Sequence, residues 1–237
     1  MAEDALVTRE QRGNISVLTM VYRPYNLLGP KLLNAIVEQV DRLTRLVSDV
    51  LELSRLDGTD APLEIAVNTA EDLVGGVVRQ TAGVLDGRRL DVELTLEPAA
   101  LAGRFDYVSS LRILTNLIEN AVRYTAAGDS VQLRVTGDAD WLAFTVSDRG
   151  PGVPAAEREA IFEPFYRAPS ATVDAGRVGL GLAIARRLAA AQGGTLVYHA
   201  REGGGSTFTL RLPRTELAET NDESVERYAA LSSRDVM

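Results

Sequence analysis

Two glycine clusters bracket the stretch Asp148–Leu182, DRGPGVPAAEREAIFEPFYRAPSATVDAGRVGLGL, and they restrict this chain more than any other feature. The stretch follows WLAFTVS, an apolar and β-branched run that predicts a buried strand. Asp148 stands where that strand leaves its sheet, and Gly150-Pro151-Gly152 forces a tight turn after it. Without a Cβ, backbone at such a turn can lie flat against a planar ligand. The second cluster, Gly176 to Gly181, opens onto LAIARRLAAAQGG, a helical pattern with Gly193-Gly194 at its C-terminal end. Uncrowded N–H groups at a helix start attract phosphate. Between the clusters, the turn-rich span Ala168 to Val178 is expected to close over a ligand as a lid. A flat polar ring at one end and phosphates at the other describe an adenine nucleotide.

The composition removes several other classes. There is no cysteine, which excludes disulfides and thiolate metal sites. The net charge of −8 argues against a nucleic-acid binder, which needs clustered cations. Lys31 is the one lysine, so arginine carries nearly all the positive charge. No apolar run is long enough to cross a bilayer and no signal peptide is visible. The expectation is a soluble cytoplasmic protein whose membrane attachment, if any, comes from a segment outside it or from a partner.

Residues 1–30 form a segment of unclear structure, in which ISVLTMVY reads as a short strand or a buried helical turn. Residues 31–57 predict a long helix. Leu33, Ile36, Val40, Leu43, Val47 and Val50 alternate in steps of three and four, a coiled-coil seam, and Leu32, Leu46 and Leu53 widen the apolar stripe. Such a helix needs a partner, and self-association into a homodimer is the simplest one. After the hinge DGTDAP, residues 62–213 read as one domain. LEIAVNT is a strand, AEDLVGGVVRQTAGVLDG a helix, RRLDVELTLEP a strand and FDYVSSLRILTNLIENAVRYTAAG a long helix. VQLRVTG, WLAFTVSD, TLVYHA and STFTLRLP are further strands. This order predicts an α/β class, an α+β two-layer sandwich with a mixed, largely antiparallel sheet and helices on one face. Residues 214–237 read as a flexible acidic tail with a weak helix around SVERYAAL.

On the long helix, Leu111, Leu114, Leu117, Ile118, Ala121 and Val122 predict the buried side. Asn116, Asn120, Arg123 and Tyr124 fall together on another face. Amide oxygens one turn apart can hold a hard cation such as Mg²⁺. Arg123 can reach phosphate, and Tyr124 can lie against a base.

These blocks resemble the ATP-binding domain of two-component sensor histidine kinases, within the wider GHKL or Bergerat-fold ATPases. NLIENAVRYT resembles the N box, DRGPG the G1 box, FEPFYR the F box and GLGLAIARRLAAAQGG the G2 box, with GGGSTFTLRLP closing the domain. DRLTRLVSDVLELSRLDG resembles the second helix of the family's dimerisation and histidine-phosphotransfer hairpin. The resemblance implies ATP and Mg²⁺ as cofactors. It makes Asn120 the Mg²⁺ ligand, lines the triphosphate with Asn116, packs Tyr124 on adenine and pairs Asp148 with the adenine amino group. It gives Gly150 and Gly152 the task of making room for the base and brings Arg167 to phosphate on lid closure. Gly179, Leu180, Gly181 and Leu182 then line the phosphates, and Ser206 stands where the family usually has threonine. Asn116, Asn120, Arg123 and Arg167 are the expected catalytic set. Related hydrolases carry glutamate at the position of Asn116; an amide accepts no proton, so transfer to water should be slow.

One departure decides the expected reaction. The family's first hairpin helix carries an acceptor histidine, and residues 1–30 contain no such motif. The sole histidine, His199, lies in a predicted strand. The expected function is therefore transfer of the γ-phosphoryl group of ATP to a histidine in trans, with a histidine-bearing kinase hairpin or a response regulator as partner. Val178 also replaces the hydroxyl residue common before the G2 glycines. The alternatives are a degenerate ATP-responsive dimerisation module, and a GHKL hydrolase or anti-sigma-type serine kinase. GPGVPA matches a dinucleotide fingerprint too, but Pro151 removes an N–H inside the turn. No P-loop motif exists.

Overall fold

The computed structural model describes residues 7–12, 15–20, 30–57, 63–94, 101–167 and 178–216. Its main sheet takes its strands from β3 (Ile65–Thr69), β4 (Arg89–Leu94), β5 (Ala102–Asp106), β6 (Ser130–Gly137), β7 (Trp141–Ser147), β8 (Thr195–Ala200) and β9 (Ser206–Thr215). The order is β3-β5-β9-β7-β6-β4, with β8 also paired to β9. Only β4 and β6 run parallel among these pairs. The fold is thus the expected mixed, largely antiparallel sheet. β1 (Val7–Arg12) and β2 (Ile15–Met20) form a separate antiparallel hairpin, so ISVLTM is a strand rather than a helical turn.

Three helices, α2 (Ala70–Thr81), α3 (Tyr107–Tyr124) and α4 (Gly181–Ala191), pack on one face of the sheet. Alternation along β6 and β7 sends Val131, Leu133, Val135, Leu142, Phe144 and Val146 into that core, where β9 adds Leu210 and Leu212. Each fully buried residue of this size contributes about 1.5–3 kcal/mol of hydrophobic stabilisation. The helix starts are capped as their sequences dictate. Thr69 accepts from the Asp72 N–H at 3.1 Å, and Asp106 accepts from the Ser109 N–H at 2.7 Å.

Three expectations are corrected here. The stretch before α3 is a strand, β5, which carries its pattern on both faces: four of its five residues are buried, so no alternation marks it. Its Gly103 lies so close to the neighbouring chain that a Cβ would stand 2.7 Å from the Pro213 carbonyl. The last strand runs two residues beyond Pro213, because Arg214 and Thr215 pair with Gly103 and Ala102. On α3, Ile113 is fully buried, whereas Leu111 only rests against the core edge. The expected helix around SVERYAAL and the hinge DGTDAP from Asp57 to Pro62 fall, apart from Asp57, outside the described residues.

α1 (Pro30–Asp57) lies across the domain rather than free of it. Leu53 is buried in the main core, and Leu46 and Leu56 pack against it. Arg112 on α3 pairs with Asp49 at 2.7 Å and with Glu52, while Arg187 on α4 donates to the Leu53 carbonyl at 3.4 Å. On the opposite side Leu33, Val37, Val40, Leu43, Val47 and Val50 are each 44–58% exposed. Ile36, expected in that seam, is half-buried, and Val37 stands in its place.

Candidate functional site

β7 delivers Asp148 into a corner closed by the turn between β8 and β9. The side chain is 3% exposed. Its Oδ1 accepts from the Gly150 N–H at 2.7 Å and from the Ser206 N–H at 3.2 Å, and its own N–H donates to the Ser206 carbonyl at 2.9 Å. Burial pushes the Asp148 carboxyl above the usual carboxylate range, against the opposing pull of the Gly150 and Ser206 hydrogen bonds and the Arg201 charge. A buried carboxyl fixed by its neighbours at the end of a strand can accept one directed hydrogen bond from a ligand.

The glycines around it are required by space. A Cβ on Gly150 would stand 2.8 Å from the Tyr124 carbonyl and 2.9 Å from the Tyr124 Cβ. Gly152 takes φ +73°, and its missing side chain faces the Gly205 carbonyl. The Gly150 turn therefore lies directly on the C-terminal end of α3.

Towards the middle of α3, Asn116 meets the start of α4. A Cβ on Gly181 would come within 2.6 Å of the Asn116 amide oxygen and nitrogen. Gly179 takes φ +79°, its carbonyl accepts from the Phe165 N–H at 2.9 Å, and a Cβ there would strike the Tyr166 carbonyl. Leu180, just before α4, is buried, and Leu182 packs at the core edge. Asn116, Asn120 and Tyr124 sit one turn apart, a row of about 12 Å at the rise of an α-helix. This row links the second glycine cluster to the first. Tyr124 is 46% exposed, and Asn120 and Arg123 are half-buried beside it. Next to Asn116 and Gly181 opens a cavity of about 470 Å³, walled by Leu46 and Asp49 of α1, Thr115 and Glu119 of α3, and Ile184 of α4.

Arg167 ends a described segment; residues 168–177, and with them nearly all of the expected lid, lie outside the described residues. Phe162 is core, edge-on to Phe208 at 6.3 Å. Phe165 is 59% exposed at φ +66°, a turn residue at the edge of the described segment. His199 is exposed on β8, opposite Thr207.

Sequence reasoning passes over three residues that hold this site together, one at the start of α3 and two at the Asp148 corner. Gln192 is buried and accepts from the Asp106 N–H and the Ser110 hydroxyl, fixing the start of α3. The Tyr198 hydroxyl accepts from the Val153 N–H at 3.0 Å, holding the chain after the Gly150 turn. Arg201 donates to the Asp148 carbonyl at 3.1 Å. Their partners are 45 to 86 residues away, so no local spacing reveals them.

A family model described as histidine kinase-, DNA gyrase B-, and HSP90-like ATPase matches residues 106–216. The sensor-like histidine kinase SenX3 of Mycobacterium tuberculosis is 32% identical over 190 residues, covering 80% of this chain and 46% of the relative. The chain carries the ATP-binding catalytic domain of the sensor histidine kinases. The sensor protein kinase PmrB of Pseudomonas aeruginosa is 35% identical over 188 residues, covering 75% of this chain and 37% of PmrB. Among solved structures, full-length ShkA in complex with AMPPNP superimposes with a TM-score of 0.67 at 30% identity, covering 81% of this chain and 41% of ShkA. The Acinetobacter baumannii histidine kinase AdeS shares the fold, with a TM-score of 0.65 at 24% identity over 80% of this chain and 87% of that one. The chain spans less than half the length of SenX3 and PmrB. Among its described residues no helix is long and apolar enough to cross a membrane.

Proposed function

We propose that the kinase domain binds Mg·ATP along α3 and passes the γ-phosphoryl group to a histidine outside this sequence, for onward transfer to a response regulator. The observation that carries this reading is the row Asn116, Asn120, Tyr124, which runs from the phosphate-type helix start at Gly181 to the carboxyl corner at Asp148. Asp148 accepts from the adenine amino group. Gly150 and Gly152 leave the base room to lie against backbone, with Tyr124 beside it. At the far end Gly179, Leu180, Gly181 and Leu182 offer backbone N–H groups to the phosphates, with Arg123 and Arg167 as side-chain cations.

The donor set fits magnesium. Among the described residues no group of three or more His, Cys, Asp or Glu could hold a metal alone. Asn120, with Asn116 one turn away, supplies amide oxygen of the kind a hard cation takes when phosphate oxygens and water complete its shell. Bound there, Mg²⁺ would neutralise charge on the phosphates as the phosphoryl group leaves. Asn116 cannot accept a proton from water, which favours an external nucleophile over hydrolysis. His199, exposed on β8 opposite Thr207, is not the acceptor.

A second copy of the chain covers the exposed seam of α1, since Val40, Leu43, Val47 and Val50 keep coiled-coil steps of three and four on its outer side. The test is incubation with labelled Mg·ATP, with and without a histidine-bearing kinase hairpin. Acid-labile label on the hairpin is the expected result. Tight ATP binding without transfer would point instead to a regulatory module. Steady phosphate release or acid-stable label would point to a hydrolase or serine kinase.

A further inference from the structure

The adenine end of the site is built by three segments, and one side chain outside the expected set ties them together. Arg201 follows β8 directly, and its backbone closes the turn: its N–H donates to the Gly205 carbonyl at 3.2 Å, and the Gly204 N–H donates to the Arg201 carbonyl at 3.1 Å. Its side chain then reaches back across the sheet. One guanidinium nitrogen donates to the Asp148 carbonyl at 3.1 Å and the other to Gln132 Oε1 on β6 at 3.0 Å. The fork geometry of arginine suits two acceptors on neighbouring strands, which the single ammonium of lysine cannot span in the same way. Gly205 is pressed so closely on Asp148 that a Cβ there would strike the Asp148 carbonyl. The carbonyl that Arg201 holds therefore belongs to the residue whose carboxyl faces the ligand.

We propose that Arg201 is a positioning residue for nucleotide recognition: by bridging the Asp148 carbonyl and Gln132 it sets the direction of the Asp148 carboxyl and supplies a positive charge beside it. The proposal rests on Asp148 accepting from the adenine amino group. Among the described residues Arg201 is the charge that bears on this carboxyl, while α3 contributes Tyr124 and β9 contributes Ser206. The ionised carboxylate is a stronger acceptor for the adenine amino group than the neutral acid, which also presents an O–H, and Arg201 favours the ionised form against burial.

The test compares the wild-type chain with Arg201→Gln and Arg201→Lys, by calorimetric titration with Mg·ATP over a pH series, with melting temperatures measured in parallel. Arg201→Gln should weaken ATP binding roughly tenfold near neutral pH, the scale of one lost hydrogen bond to a charged group. Its loss of affinity on acidification should begin at a higher pH than in the wild type. Arg201→Lys should recover the wild-type pH midpoint but only part of the affinity. Wild-type affinity in Arg201→Gln overturns the proposal. So does an equal loss in both variants at every pH, since that marks a purely structural role. Carboxyl NMR of the ligand-free protein separates this from a failure of the nucleotide reading. If the wild type binds no ATP, that reading falls; if the Asp148 titration is unmoved by Arg201→Gln, the role given to Arg201 falls.

Discussion

The amide of Asn116 lies against the first residue of α4, so closely that a Cβ on Gly181 would stand 2.6 Å from both its oxygen and its nitrogen. Gly181→Ala must therefore push Asn116 out of line with the start of α4. Alanine is otherwise the better helix former, by up to about 1 kcal/mol in a helix interior and less at a first position such as this one. The two effects oppose each other in stability but not in binding. Gly181→Ala should weaken Mg·ATP binding about tenfold or more, the scale of one charge-assisted contact, with little change in melting temperature. Calorimetry and thermal melting on one sample check both halves; unchanged affinity would separate Asn116 from the phosphates.

Gly205 gives a prediction of opposite character. It sits at φ +107° with its missing Cβ directed at the Asp148 carbonyl, so Gly205→Ala meets backbone strain and a clash with backbone that cannot rotate away. The variant should lose at least about 2 kcal/mol of stability, measured by urea unfolding. ATP affinity should fall with it, because the turn it distorts also carries the Ser206 N–H to Asp148.

Asp148 links stability and binding to pH with opposite signs. Burial raises its carboxyl in the folded state above the value of the unfolded chain. The folded protein then holds that proton more tightly, so this group's contribution to stability is fully present below the unfolded value and is lost as pH rises through the folded one. The ionised form is the stronger acceptor for adenine, so affinity should instead fall as pH drops into that same window. Asp148→Asn should abolish ATP binding near neutral pH while leaving urea stability equal or higher, since a buried charge is removed. A variant that binds ATP normally would place the base elsewhere.

How much of this is legible in the chain depends on distance along it. The Gly150 and Gly181 turns and the apolar stripe of α3 are visible because local geometry dictates them, through φ, steric room and the helical period. β5 is invisible because burial on both faces erases the two-residue alternation, and its strand identity is settled by β3 and β9, distant in sequence. Arg201 and Gln192 are invisible for a related reason. Each satisfies a backbone group more than fifty residues away, and an arginine in a glycine-rich turn reads as solvated until the fold brings Asp148 to it. Spacing alone assigns Ile36 to the seam, whereas in the folded chain Ile36 is half-buried and Val37 is the exposed residue.

That docking can be measured. Arg112 on α3 pairs with Asp49 and Glu52 of α1, with about two-fifths of its side chain exposed. Burial raises the Glu52 carboxyl and the Arg112 charge opposes it. At this exposure an ion pair is worth little, and a double-mutant cycle of Arg112→Ala with Asp49→Ala should give a coupling of about 0.5–1 kcal/mol that shrinks with added salt. Leu53→Ala, which empties part of the apolar seat of α1, should cost more, about 2–3 kcal/mol. If breaking the ion pair cost more than emptying that seat, electrostatics rather than apolar contact would hold α1 in place.

The outer face of α1 makes the last prediction. Val40, Leu43 and Val47 are about half exposed, one heptad of a seam whose opposite side is occupied by the domain. Leaving such a row in water forgoes the burial that a second helix would provide, roughly 25 cal/mol per Å² of apolar surface covered. The chain should therefore sediment as a dimer at micromolar concentration. Val40→Asp with Val47→Asp should convert it to a monomer, because two carboxylates would face their own copies across a dry seam. Both substitutions lie on the side of α1 away from Asn116 and Asp148, so the monomer should bind Mg·ATP with wild-type affinity. A wild-type chain that is monomeric at high concentration would show that the seam is built for something other than its own copy.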